Sequence, residues 1–313
     1  MKIITLFILL ALGATCRREK PRRRQRPATS SRSAPQKNAI TPSPVTPLKK
    51  LFATPGNFTP LPKPAPGEWL AEHPEPGQTF EAYRDGRFNM VSKWRHTLVV
   101  LPLGSFKKGV SPSLSALKEI MEAYFMMKVR LLPPTTPPKR IKRRKNPHDG
   151  QLQLHAGEVL SFLSTKLPED AYALLAITMT DLYPQASWNF VFGMASLRAR
   201  VGVFSFARYT PSFHNEQPTP ASQTRMLLRS MKVLSHEMAH MFGMHHCVYY
   251  FCNVNGSNSM EESDRAPIHL CPVCLKKLWH NVRFDPVKRY ERLMKVYTKY
   301  GLSEQALWVK KRL

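Results

Sequence analysis

The chain has 313 residues, 42% of them hydrophobic, enough to bury a sizeable core, which excludes a wholly disordered protein. Five cysteines are too few for a disulfide-dense mini-scaffold. Lys plus Arg outnumber Asp plus Glu by 47 to 21, a net charge of +26 that at first suggests a nucleic-acid partner.

In chain order, residues 1–16, MKIITLFILLALGATC, read as an export signal: Lys2, a short apolar core from Ile3 to Leu12, then the small residues Gly13, Ala14 and Thr15. Cys16 invites lipid attachment after cleavage, although Thr15 is a poor neighbour for that reaction, and cleavage after Ala14 competes with it. The arginines just beyond favour retention on the cytoplasmic side. The expected location is therefore export or membrane anchoring at Cys16, with a cytoplasmic protein as the alternative. Apart from residues 3–14, no apolar run approaches the roughly 20 residues of a spanning helix.

Residues 17–66 read as an Arg/Pro-rich disordered linker. Segment 17–50 holds eleven basic residues and one acid, Glu19, and eleven prolines fall between Pro21 and Pro66. A second basic run is Lys139, Arg140, Lys142, Arg143, Arg144 and Lys145. Such runs are usually solvated; membrane lipid or nucleic acid is the alternative partner.

From Gly67 the composition turns globular, and residues 67–313 are expected to form one domain. Residues 94–103 read as a strand buried on both faces. A helix over 113–127, a short strand over 129–132, the basic loop 139–149 and a helix around 155–165 follow. Strands are predicted at 171–180, 190–195 and 201–208. This alternation implies an α/β sheet with crossover helices. Thr219-Pro220 starts a further helix, an N-cap with proline at the first helical position. Its apolar face runs Leu227, Met231, Leu234, Met238 and Met241.

That helix carries HEMAHMFGMHH, residues 236–246. His236 and His240 are one helical turn apart and can grip one zinc ion. Gly243 stands where the helix must stop and the chain turn back, bringing His246 to the same metal. Three neutral histidines leave a fourth position for water, whose pKa zinc lowers to about 7, and Glu237 stands beside it as a proton acceptor. The pattern H-E-x-x-H-x-x-G-x-x-H is the metzincin arrangement. His245 is a rival third ligand by adjacency, one residue out of phase with the pattern. Downstream, Cys247 and Cys252 form C-x4-C, and Cys271 and Cys274 form C-P-V-C. Four thiolates at this spacing suit a structural zinc; two disulfides are the alternative in an oxidising compartment.

Together these motifs resemble the archaemetzincin family, in particular its animal type 2 branch. The resemblance extends to NGSNSMEESDRAPIHLCPVCLKKL (255–278), to segment 170–209, and to EWLAEHPEPGQTFEAY and LQLHAGEVL, so it spans about 68–290. It implies a metzincin-like α/β (α+β) fold with a small mixed twisted sheet, an active-site helix and a four-cysteine C-terminal part. It implies His236, His240 and His246 as ligands of a catalytic zinc, with Glu237 as general base. Cys247, Cys252, Cys271 and Cys274 would hold a second, structural zinc. The implied activity is peptide hydrolysis, aminopeptidase-like on short peptides. VGVFSFARY resembles the edge strand that binds an extended peptide. One departure is Val254, where the family has the Met-turn methionine; an apolar floor is kept at a cost on the order of 1 kcal/mol. Met260 is nearby but out of register.

The leading reading is a zinc metallopeptidase acting on peptide or protein substrates as a monomer. The competing readings are a catalytically weak or inactive zinc-binding module and a basic binder of membrane or nucleic-acid surfaces. Nucleic acid is not the expected partner, because more than half of the excess charge lies in the tail and one loop, remote in sequence from the metal motif.

Overall fold

The computed structural model describes Phe52 and residues 58–313. The signal-like residues 1–16, Cys16 and most of the Arg/Pro tail lie outside the described residues. No helix among the described residues is long and apolar enough to cross a membrane.

Two short helices, α1 (Trp69–Glu72) and α2 (Phe80–Arg84), come first. β1 (Thr97–Leu103) is buried at all seven positions. It starts later than residue 94 because the Trp94 ring, 72% exposed, lies outside the packed layer. α3 (Leu114–Phe125) is capped by the Ser113 hydroxyl, which accepts from the Ala116 N–H. β2 (Lys128–Leu131), β3 (Arg143–Lys145), β4 (Leu152–His155) and α4 (Ala156–Ser164) follow. Then come β5 (Ala171–Thr178), β6 (Asp181–Tyr183), β7 (Gly193–Ser196) and β8 (Val201–Ser205). The helices α5 (Pro220–Met241), α6 (Met260–Arg265), α7 (Pro272–Val282), α8 (Pro286–Lys299) and α9 (Ser303–Lys310) complete the chain.

The larger sheet has the order β2-β1-β5-β8-β7, parallel except for β7, which runs antiparallel to β8. Alternate residues of β1 feed two cores. Leu98 and Val100 join Leu117, Ile120 and Met121 of α3 and Met231, Leu234 and Met238 of α5. Val99, Leu101 and Leu103 join Val159, Phe162 and Leu163 of α4. The sheet is thus covered on both faces, which is why β1 and β5 are continuous apolar runs. This is the mixed α/β architecture expected from the alternation of elements.

Three expectations are corrected. The basic run at 139–149 is more than a solvated loop. Arg143–Lys145 pairs with β4 in a three-stranded sheet ordered β3-β4-β6. Arg144 turns inward, donating to Gln153 Oε1 at 2.7 Å and to the Ala186 carbonyl at 2.8 Å, with its guanidinium 4.1 Å from the Tyr183 ring centre. Next, the strand of VGVFSFARY is interior: β8 is bonded to β5 on one side and β7 on the other, so the edge beside it is β7. The segment also breaks after Ser205 into a 3-10 turn over Ala207–Tyr209. Finally, the folded unit begins before Gly67. Phe58 is buried, with its ring edge-on to Tyr250, His269 and Trp308. Leu61 N–H donates to the Tyr249 carbonyl at 3.1 Å, and Phe251 N–H to the Thr59 carbonyl at 2.9 Å. Proline content hides this contact, because one aromatic anchor and two backbone bonds leave no periodic signal.

Candidate metal centres

α5 starts as predicted, at a capping box in which Thr219 and Ser222 satisfy each other's backbone N–H groups. Its C-terminal turns are buried and bring His236, Glu237 and His240 into the interior. The helix then ends in a Schellman arrangement. Gly243 N–H donates to the His240 carbonyl at 2.8 Å and Met244 N–H to the Ala239 carbonyl at 3.1 Å. Gly243 has φ +82°, the left-handed conformation the turn requires. A Cβ there would also meet Phe88 at 2.4 Å. Gly243→Ala is therefore expected to cost about 2–4 kcal/mol, from backbone strain plus overpacking, measurable by urea unfolding.

The turn does more than bring His246 back. The Met244 carbonyl it presents accepts from His240 Nδ1 at 2.6 Å. The Asn253 carbonyl accepts from His236 Nδ1 at 2.7 Å. His246 Nδ1 bonds Glu75 Oε1 at 2.7 Å. With every Nδ1 engaged, each ring has its Nε2 left to face a common point. His236 Nε2 and His240 Nε2 are 3.0 Å apart, and the ligand atoms of all three histidines lie within 4.8 Å of one another. His246 Nε2 is buried and has no protein hydrogen-bond partner. Burial first, and then the neighbouring histidines, holds His236 down to about 3 and His240 well below its ordinary value. Both imidazoles are therefore neutral, the form that binds zinc. The residues present fit the ion: three nitrogen donors, a shared point and an orphaned buried atom aimed at it.

Glu237 is 1% exposed, and its Oε1 has no protein partner. Burial alone pushes its carboxyl up to about 8, and a cation among the histidines would draw it back toward the carboxylate. The Tyr209 hydroxyl is pushed upward by burial first and then by the charge of Glu237. His245, the rival ligand, is exposed and stands outside the triad.

Glu75 carries no signal in the sequence, because it lies in a proline-rich loop far from the motif. It holds His246 from behind and also accepts from Trp69 Nε1 at 2.5 Å. Burial raises its carboxyl, but the hydrogen bond and charge of His246 outweigh this and leave it below the usual range. Gln78 fixes the same loop, accepting from the His245 N–H at 3.2 Å and from Lys277 Nζ at 3.0 Å, and donating to the Gly243 carbonyl at 3.2 Å. Removing such a carboxylate behind a ligating histidine commonly costs 10–100-fold. Glu75→Gln is expected to lower zinc affinity or activity by about that factor, read by chelator competition and peptide turnover.

The four cysteines are all free thiols and buried, with their sulfurs within 4.8 Å of one another. Cys247 Sγ and Cys271 Sγ are 3.5 Å apart, too far for a disulfide and right for two ligands of one ion. Hydrogen bonds from Cys252, Cys271 and Cys274 pull the Cys247 thiol down, while burial and neighbouring sulfurs push Cys252 up. Cys271 is the N-cap of α7, accepting from the Cys274 N–H at 3.5 Å, with Pro272 at the first helical position. Between the two clusters runs segment 252–255. Cys252 belongs to the sulfur cluster, Asn253 holds His236, and Val254 is fully buried and accepts from the Cys247 N–H at 2.8 Å. Met260 and His236 both line a small cavity of about 30 Å3.

Residues 157–280 match the family model described as Peptidase family M54. The chain is 38% identical over 266 residues to Archaemetzincin-2 of Mus musculus, covering 76% of this chain and 74% of that one. The chain belongs to the archaemetzincin family. Archaemetzincin-2 of Homo sapiens is also 38% identical, over 268 residues, with the same coverage of the two chains. The crystal structure of archaemetzincin from Methanopyrus kandleri is 28% identical, with a TM-score of 0.47, covering 62% of this chain and all of that one. As an archaemetzincin, the chain is a zinc-dependent metallopeptidase, a hydrolase of peptide bonds. The histidine triad and the cysteine cluster are its candidate zinc sites.

Proposed function

We propose that hydrolysis takes place at the three-histidine centre with Glu237 as general base, and that the chain holds two zinc ions, one there and one among the four cysteines. The observation that carries this reading is the convergence of three Nε2 atoms whose Nδ1 partners are already fixed. Bound zinc supplies Lewis acidity to a peptide carbonyl and lowers the pKa of a nearby water. The protein's own part is to orient and to move protons. Backbone carbonyls and Glu75 set the three rings. Glu237, itself buried, accepts a proton from the attacking water and returns it to the leaving amine. The aminopeptidase-like preference rests on the family resemblance. A library of short peptides with free and acetylated N-termini tests it: loss of cleavage on acetylation supports it, and indifference removes it.

Metal analysis of the purified protein should give about two zinc ions per chain. Thiol labelling after chelation and denaturation should find Cys247, Cys252, Cys271 and Cys274 reactive without a reductant. Resistance to labelling would overturn the second zinc site. Export or anchoring through residues 1–16 and Cys16 rests on sequence alone. Mass spectrometry of the mature N-terminus tests it, with cleavage at or before Cys16, with or without lipid, as the expected result. The monomeric state is tested by light scattering.

A further inference from the structure

A second buried site lies in the C-terminal helices. A cavity of about 200 Å3 lies between Tyr124, segment 267–270, α8 and α9. Its walls include Leu270, Leu293, Trp308 and Val309. Two polar side chains from α8, Arg289 and Tyr290, also line it, and they are 2% and 1% exposed. Arg289 Nε donates to the Tyr124 carbonyl at 2.7 Å, but its Nη2 has no protein partner. The Tyr290 hydroxyl likewise has none. Among the described residues, no carboxylate forms an ion pair with Arg289. The one carboxylate in the lining, Glu304, is exposed, and with the part-exposed Gln305 it brings the cavity to the surface.

A buried guanidinium without a counter-charge is costly, and natural interiors pair such groups. The Arg289 and Arg312 guanidinium groups lie 5.7 and 5.8 Å from the Tyr290 ring centre. His269, stacked on Trp308 at 3.6 Å, is held neutral, pushed down to about 3 by burial and then by Arg312 and Arg289. The donors present are guanidinium N–H groups and a phenol, chemistry that suits a carboxylate, and most of the remaining walls are apolar and aromatic.

We propose that this cavity binds a small organic monocarboxylate, its charged end on Arg289 and Tyr290 and its apolar or aromatic body against Leu293 and Trp308. The apolar walls favour such a ligand over inorganic phosphate, whose oxygens would face hydrocarbon. The site lies one hydrogen bond from the metal region, because the His269 carbonyl accepts from the Asn253 N–H at 2.9 Å.

The test is calorimetric titration of the zinc-loaded protein with 3-phenylpropanoate, its uncharged amide and inorganic phosphate. Saturable binding of the carboxylate at one per chain is expected, with the amide and phosphate each at least tenfold weaker. Arg289→Met should weaken carboxylate binding at least tenfold. Gln305→Trp, which blocks the mouth and leaves the guanidinium in place, should do the same with fold and zinc content unchanged. If Arg289→Met does not fold, the Gln305→Trp result decides alone. Absence of saturable binding, equal binding of the amide, tighter binding of phosphate, or binding unaffected by Gln305→Trp each overturns the proposal. Carboxylates that bind at the histidine centre instead would be insensitive to both variants.

Discussion

Glu237→Gln is expected to lower peptide turnover by about 10²–10⁴-fold while zinc content stays at the wild-type level. The substitution keeps shape and removes only the ability to accept a proton. No ligand is touched, since the three rings are fixed by the Asn253 and Met244 carbonyls and by Glu75. Nor is a hydrogen bond broken at Glu237 Oε1, which has no protein partner. The stability change should therefore be about 1 kcal/mol or less. The measurement is turnover of a fluorogenic peptide beside metal analysis and a thermal melt. Equal turnover in wild type and variant would sink the role of Glu237. Loss of zinc in the variant would mean that the acid helps to hold the metal.

The second large effect is on stability. Cys274→Ser should release the metal of the four-cysteine site and lower the melting temperature by about 10 °C or more. Structural zinc contributes on the order of 10 kcal/mol to small zinc domains, and a domain of this size loses about 2–4 °C per kcal/mol. Activity should fall too, although no atom of the catalytic centre is changed. Cys247 directly follows His246, and Cys252 directly precedes Asn253, whose carbonyl orients His236. Metal stoichiometry, melting and turnover are read together; unchanged values for all three would remove the structural role of the cluster.

The chemistry-bearing residues were legible in the sequence because their spacing is dictated by a helix and one turn. His236 and His240 must be one turn apart to share an ion, and only a glycine at 243 takes the conformation that returns the chain. The four thiols were equally plain from C-x4-C and C-P-V-C. The features without a sequence pattern act across the fold. Glu75 is 171 residues from His246, and a single carboxylate in a loop leaves no pattern. The strand at Arg143–Lys145 was hidden because arginine reads as solvent-facing, whereas Arg144 spends its donors on carbonyls of the 186–189 loop. The interior place of β8 depends on which strands flank it, and a continuous apolar run does not name its neighbours. Phe58 was lost among prolines because one ring can anchor a segment that has no periodicity.

The segment between the two clusters has a thermodynamic consequence. Cys252 and Asn253 are consecutive, as are His246 and Cys247, so with two zinc ions bound as proposed, loss of either would be expected to shift a donor or an orienting carbonyl of the other. The proposed occupancies are then expected to be linked, each raising the affinity of the other, and by reciprocity the two factors are equal. Stripping with a graded series of chelators should show this as cooperative release. The Cys274→Ser protein should in turn surrender its histidine-bound metal to weaker chelators than the wild type does.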